Sequence, residues 1–254
     1  MSTEPIVRTR SRTGASLRPE KIVLVCGTGT EVGKTWVGAQ LLSELRSRGL
    51  QVAARKPAQS FDVDSEGTPL GGATDAEVLG AASGQGPGSV CHPFRSYHRA
   101  MAPPMAAEAL GLPPFTLADL IEEMVWPDHR VDVGLVEAAG GVMSPQASDG
   151  DAIDLLRVLL PDIVILVADA GLGTINAVRL SMVPLLRAVS ELEAEPVTGR
   201  LGKPIPIVVV LDRFDEEHNV HQRNLKWLTS RNGFEIVTLP GMESALGDIL
   251  TANH

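Results

Sequence analysis

The sequence predicts an α/β fold in which one mostly parallel sheet is covered by helices on both faces. Two observations predict it: short apolar, β-branched runs recur along the chain, and longer segments of helical periodicity separate them. Residues 22–26, 51–54, 133–136, 163–168, 207–211 and 235–239 read as strands, several of them too apolar to have a solvated face. Residues 34–48, 152–160, 174–189 and 220–231 read as helices. Ligands of such folds sit beyond the carboxyl ends of the strands, so the residues after each run are where chemistry is expected.

Composition narrows the partners. A chain of 254 residues, 44% hydrophobic and 21% charged, has the apolar content for one large domain. A formal charge of −9 and a pI near 5.2 argue against nucleic acid or an anionic membrane surface, both of which need clustered positive charge, so a small-molecule partner is expected. The two cysteines, Cys26 in an apolar run and Cys91 in a Pro-rich segment, have no companions at zinc-ligand spacing, which fits a reduced, cytoplasmic setting. No apolar stretch approaches the roughly 20 residues that span a bilayer, and the N-terminus lacks the apolar core of a secretory signal. Residues 1–19 are polar, carry Arg8, Arg10, Arg12 and Arg18 without periodicity, and are expected to form a flexible tail before a single domain at 20–254. His92, His98 and His129 read as surface side chains, Trp126 as packing, and Glu191, Glu193 and Glu195 as a solvated acidic stretch beside a loop.

The strongest motif is Gly27-Thr28-Gly29-Thr30-Glu31-Val32-Gly33-Lys34-Thr35, which follows the first strand and opens the first helix. That context is what a phosphate-binding loop requires. Glycine lets backbone N–H groups turn toward phosphate oxygens, the helix N-terminus adds partial positive charge, Lys34 can reach the β- and γ-phosphates, and the Thr35 hydroxyl can ligate Mg²⁺. Thr28 stands where the simplest form of this loop has its first glycine. The fold is therefore expected to be a P-loop NTPase fold.

Further blocks follow in order: Lys56-Pro57-Ala58-Gln59-Ser60, Thr74-Asp75-Ala76-Glu77, Pro104-Met105-Ala106-Ala107, Val136-Glu137-Ala138-Ala139-Gly140-Gly141 and Leu172-Gly173-Thr174-Ile175-Asn176. Together with the loop, this succession resembles the dethiobiotin synthetases over roughly residues 21–241. The resemblance implies an ATP- and Mg²⁺-dependent cyclo-ligase, in a homodimer, that converts 7,8-diaminononanoate and CO₂ (or bicarbonate) into a cyclic urea. One amine captures CO₂ as a carbamate, the carbamate oxygen attacks the γ-phosphate, and the second amine closes the ring as phosphate leaves. The substrate supplies its own nucleophiles, so the protein is asked for positioning and charge neutralisation.

The resemblance also implies site residues. Lys34 and Lys56 are expected to be catalytic, Lys56 facing the carbamate and the transferring phosphoryl group. Thr35, Asp75 and Glu137 are the expected Mg²⁺ shell, hard oxygens for a hard cation. Glu137 ends an apolar strand, where a carboxylate without a partner is costly to bury; Asp75 reads equally as a helix N-terminal charge. Nucleotide contacts are expected from Thr30, Glu31, Val32, Gly33, Lys34, Thr35 and Trp36, from Asp75, from Glu137, Ala138, Ala139 and Gly140, from Asp212 and Arg213, and from Leu239, Pro240 and Gly241. Ser60 and the turn Gly173, Thr174, Ile175 and Asn176 are expected to hold the substrate, the turn receiving its carboxylate across the dimer interface; Asn176 reads equally as a helix cap.

Four positions depart from the family pattern. Ala138 replaces a glycine, Phe61 stands where glycine usually follows the serine, Ala177 stands where histidine is common, and Asp212 stands where asparagine often reads adenine. An ionised aspartate only accepts hydrogen bonds, so strict ATP preference does not follow and other nucleoside triphosphates stay open. Two other functions fit parts of the pattern: an ATP-dependent amide-forming or carboxylate-activating ligase with another substrate, and a partitioning-type regulatory ATPase. The latter class carries a second lysine in the loop, where this chain has Gly29.

Overall fold

A computed structural model describes residues 17–194, 204–239, 241, 246, 248 and 250. In chain order the first half contains β1 (Lys21–Gly27), α1 (Lys34–Ser47), β2 (Val52–Arg55), β3 (Gln59–Ser60), α2 (Asp75–Ser83), α3 (Pro87–Val90), β4 (Ser96–Tyr97), α4 (Pro103–Ala109) and α5 (Leu117–Glu123). The second half contains β5 (Val133–Glu137), β6 (Pro145–Ala147), β7 (Gly150–Asp151), α6 (Ala152–Leu159), β8 (Ile163–Asp169), α7 (Thr174–Ala194), β9 (Ile207–Asp212), α8 (Asn219–Asn232) and β10 (Glu235–Thr238).

The six expected strands form one sheet, in the order β10-β9-β8-β1-β5-β2, with every neighbouring pair parallel. Alternation along β1 explains why it lies at the centre. Ile22, Leu24 and Cys26 enter the core on one face, Val23 and Val25 the core on the other, and all five are buried. A strand that is apolar on both faces is stable only between two layers, and burying each such side chain contributes about 1.5–3 kcal/mol. The chain leaves β1 through α1 toward β2 on one side, whereas β8 pairs on the other. The carboxyl end of β1 is therefore the point where strand order reverses, the crevice in which open α/β sheets hold ligands.

The sequence-based boundaries hold to within one residue everywhere but at the end of α7. The second strand runs one residue later than expected, ending at Arg55, and α7 continues five residues past 189. In that extension Glu191 pairs with Arg157 and Arg187, and Glu193 accepts from the Ile205 amide, so these two acids are engaged; Glu195 lies outside the described residues. Of the expected tail only 17–19 is described. Arg18 there donates to the Leu159 and Leu160 carbonyls at 2.9 and 2.7 Å, which ties this end to the last turn of α6.

Candidate active site

Gly27–Thr35 runs from β1 into α1 as its sequence context requires. Gly33, the N-cap of α1, has φ 92°, and the cap makes no side-chain hydrogen bond; the first turn of α1 contains no acid. The leading N–H groups of this helix are thus left to an external anion. Two glycines here are sterically required. A Cβ on Gly33 would lie 2.0 Å from Asp212 Oδ2, and one on Gly27 would lie 2.9 Å from the Gly29 carbonyl oxygen. Lys34 Nζ donates to the Gly29 carbonyl at 2.8 Å. Burial, and then the like charge of Lys56, lowers the Lys34 pKa from the usual lysine value.

Beside the loop, four residues from four segments converge. Lys56, directly after β2, places Nζ 2.6 Å from Glu137 Oε1 at the end of β5 and 2.8 Å from Asp75 Oδ2 at the start of α2. Thr35 Oγ1 lies 2.8 Å from Asp75 Oδ1 and 3.0 Å from Glu137 Oε1. A hydroxyl has one proton to donate, so one of those two contacts always brings acceptor oxygens together. Glu137 is 0% exposed, and its Oε2 is buried without a hydrogen-bond partner.

The charges in this cluster depend on one another. Burial would lower Lys56, but the charges of Asp75 and Glu137 hold it above the usual lysine value. Burial pushes Glu137 up, against the pull of Lys56. Burial would also raise Asp75, yet the Lys56 ammonium and the Thr35 hydroxyl hold it below the usual carboxylate range.

Asp75 takes the helix N-terminal place read from the sequence and also faces the residues expected to share its metal. It sits in the first turn of α2, which Thr74 and Glu77 close with a reciprocal capping box, and its side chain reaches Lys56 and Thr35. The expected Mg²⁺ shell fits on chemistry: a hydroxyl and two carboxylates, one of them with the orphaned Glu137 Oε2, form a hard-oxygen set, and Mg²⁺ commonly takes one or two carboxylates plus substrate phosphates. Among the described residues no cluster of three or more His, Cys, Asp or Glu is placed to hold a metal by itself.

These residues face a cleft of about 800 Å³ that also takes in Thr30, Glu31, Gly33, Lys34, Trp36, Ser60, Ala139, Gly140 and Arg213. Ser60 Oγ donates to the Met101 carbonyl at 2.5 Å, which ties the Lys56–Ser60 segment to the loop before α4. A second recess of about 550 Å³ adjoins the cleft through Gly33, Trp36 and Arg213, and is completed by Gln40, Asp212, Phe214 and Leu239. Arg213 joins the two, donating to the Glu31 carbonyl at 2.9 Å and to Asp169 Oδ2 at 3.0 Å.

Some expected residues lie elsewhere. Val32 packs its side chain against the core, and Ala138 is buried with its amide on the Val25 carbonyl, so neither presents a side chain to the cleft. Gly173, Thr174, Ile175 and Asn176 do not line it either; they form the start of α7, with Gly173 at φ 98° and the Thr174 hydroxyl buried without a partner. Gly241 has φ 118° and is outside both cavities, and Pro240 lies outside the described residues. Phe61 does not narrow the cleft: its ring stands 5.2 Å from that of His98, over a separate hollow.

Two glutamines escaped the sequence reading. Gln59 accepts from the Ala76 amide at 3.0 Å and donates to Ser96 Oγ at 2.8 Å, fixing the start of α2 and hence Asp75. Gln146 accepts from the Ala139 amide and donates to the Ala139 and Ser144 carbonyls, fixing the turn after Glu137. Gln59 stands inside a motif already noticed; Gln146 has no sequence signal.

The family model described as an AAA domain matches residues 21–193. A relative from Rhodococcus jostii, called ATP-dependent dethiobiotin synthetase BioD, is 38% identical over 63% of this chain and 66% of its own length. Relatives of the same name from Caulobacter vibrioides and Haloferax mediterranei are 38% identical over 66% of this chain and 74% of theirs, and 32% identical over 87% and 84%. The matched stretch thus spans about two thirds of the Rhodococcus relative and more of the other two.

Proposed function

We propose, from the premise that this chain belongs to the AAA domain family and, within it, to the ATP-dependent dethiobiotin synthetases, that it is an ATP-driven ligase closing the cyclic urea of dethiobiotin from 7,8-diaminononanoate and CO₂. The observation that carries this reading is the buried Lys56 ammonium, held by two carboxylates beside a phosphate loop. A carbamate and a transferring phosphoryl group are both anionic, and a fixed cation in a site of low dielectric stabilises charge that grows on them. Since the diamine brings the nucleophiles, no acid–base pair is required of the chain.

Each residue then has a task. The open N-terminus of α1 and Lys34 bind the phosphates, Lys34 exchanging the Gly29 carbonyl for phosphate oxygen. Thr35, Asp75 and Glu137 would hold Mg²⁺, which when bound neutralises phosphate charge. Trp36, 57% exposed, Phe214, Asp212 and Leu239 receive the base in the adjoining recess. Ser60 orients the substrate at the far wall.

We place the substrate carboxylate at the turn Gly173–Asn176 of a second copy. Leu172, 97% exposed, and Leu180, Val183 and Leu186 leave an apolar face on and beside α7 that a homodimer would cover. Val183→Asp is expected to give a monomer by light scattering, with a raised KM for the diamine. The proposed setting is the cytoplasm, with which the free thiols of Cys26 and Cys91 agree. No described helix is long and apolar enough to cross a membrane. The test of function is phosphate release with ATP, Mg²⁺ and bicarbonate, with and without the diamine, together with mass detection of the urea. Diamine-dependent release without the urea would refute the reading.

A further inference from the structure

Behind Lys56, on the side away from the catalytic cleft, lies a cavity of about 530 Å³ whose wall includes Arg55, Ser89, Val90, Leu120, Trp126 and His129. Among the described residues, Lys56 alone lines both cavities. A volume of this size suits a small organic molecule.

Arg55 is unusual in this wall. It is 4% exposed, and its guanidinium lies 4.9 Å above the Trp126 ring. Among the described residues it has no carboxylate partner. Its Nε and Nη2 both donate to the Val125 carbonyl and its Nη1 to the Ala54 carbonyl. Glu123 faces the same cavity but is already held by both arms of Arg95, at 2.7 Å each, and Asp128 on the rim makes no ion pair with Arg55. Burial with no compensating charge lowers the guanidinium pKa to about 10. A guanidinium has five N–H donors, of which three are used here, leaving one on each terminal nitrogen. That pair matches the two oxygens of one carboxylate, and a carboxylate would neutralise the buried charge. Apart from Arg55, Glu123, Asp128, Lys56 and two histidines, the wall is apolar or carries amide and hydroxyl groups, which suits an apolar body on that carboxylate better than a polyanion.

We infer that the cavity walled by Arg55 and Trp126 is a second ligand site, one for a small organic monocarboxylate. Its occupant would act on the catalytic residue next door, because the Lys56 amide donates to the carbonyl of Val90 in the same wall.

The test titrates the full-length protein with hexanoate, hexanamide and inorganic phosphate, following the indole N–H resonance of Trp126, assigned with Trp126→Phe. Hexanoate is expected to shift it saturably, hexanamide and phosphate not. Arg55→Met should weaken hexanoate by at least about tenfold, the loss of a charge-assisted contact. Because Arg55→Met could disturb β2, Ser89→Phe, which fills the cavity from an exposed helix position and leaves Arg55 in place, should weaken binding equally. Equal shifts with hexanamide, stronger binding of phosphate, undiminished hexanoate binding in Ser89→Phe, or no saturation at millimolar hexanoate would each overturn the inference.

Discussion

Lys56 Nζ lies 2.6 Å from Glu137 Oε1, and the two residues, from the ends of two different strands, are 2% and 0% exposed. Neither charge is tolerable there alone. Lys56→Ala is therefore expected to act twice: phosphate release should fall by about 10²–10³, and urea unfolding should show a loss of about 3–5 kcal/mol from the stranded Glu137 carboxylate. The double variant Lys56→Met, Glu137→Gln separates the effects. It should recover most of the stability and none of the activity; recovery of activity would show that Lys56 only balances a charge.

The phosphate loop makes a second prediction. Gly33 adopts φ 92°, and its missing Cβ is occupied by Asp212 Oδ2. Gly33→Ala meets both a left-handed backbone penalty of about 1–2 kcal/mol and a direct clash. Adding Asp212→Ala removes the clash and not the backbone penalty. Urea unfolding should thus show the double variant more stable than Gly33→Ala and still below Asp212→Ala by about 1–2 kcal/mol; a double variant no better than Gly33→Ala would show that the backbone term dominates.

Sequence legibility followed physical reach. The six sheet strands were readable because apolar runs must be buried on both faces, and the phosphate loop because its chemistry is local to nine residues. Glu137 was readable as a charge at the end of an apolar strand. Of α2 only the start at Asp75 was readable, and α4 and α5 were not, since each is short and begins in turn-forming Pro or Thr context. Nor was the Arg213 contact with Glu31, which joins residues far apart in sequence, both with positive φ. Turn Gly173–Asn176 lies outside the cleft of its own chain, so its expected role rests on the proposed second copy.

Asp212 makes the base preference testable. It is buried in the recess with Trp36 and Phe214, and its nearest cation, Arg213 Nε, is 3.8 Å away. Burial raises its pKa, but an ionised carboxylate there still only accepts hydrogen bonds. Guanine offers two adjacent N–H donors, whereas adenine pairs one donor with an acceptor that the carboxylate repels. Asp212→Asn supplies the missing donor. The ratio of kcat/KM for ATP over GTP should rise about tenfold, a single hydrogen bond's worth. An unchanged ratio would place base reading on other residues.

Alkaline stability tests the core on both faces of the sheet at once. Cys26 and Cys91 are buried, and burial pushes each thiol from about 9 up to about 12. Between these values the unfolded chain releases thiol protons that the folded chain retains, so the folded state loses stability as pH rises through this window, and the full contribution is present below pH 9. Urea midpoints measured at pH 8, 9.5 and 11 should therefore fall. In the unfolded chain lysine and tyrosine side chains also lose protons in this range, so the slope alone assigns nothing. Cys26→Ala lowers the pH 8 value by opening a small cavity but removes one ionising group, and its decline toward pH 11 should be shallower than that of the parent. A parallel decline would mean that the Cys26 thiolate is reached by solvent in the folded state, contrary to its complete burial beneath the phosphate loop.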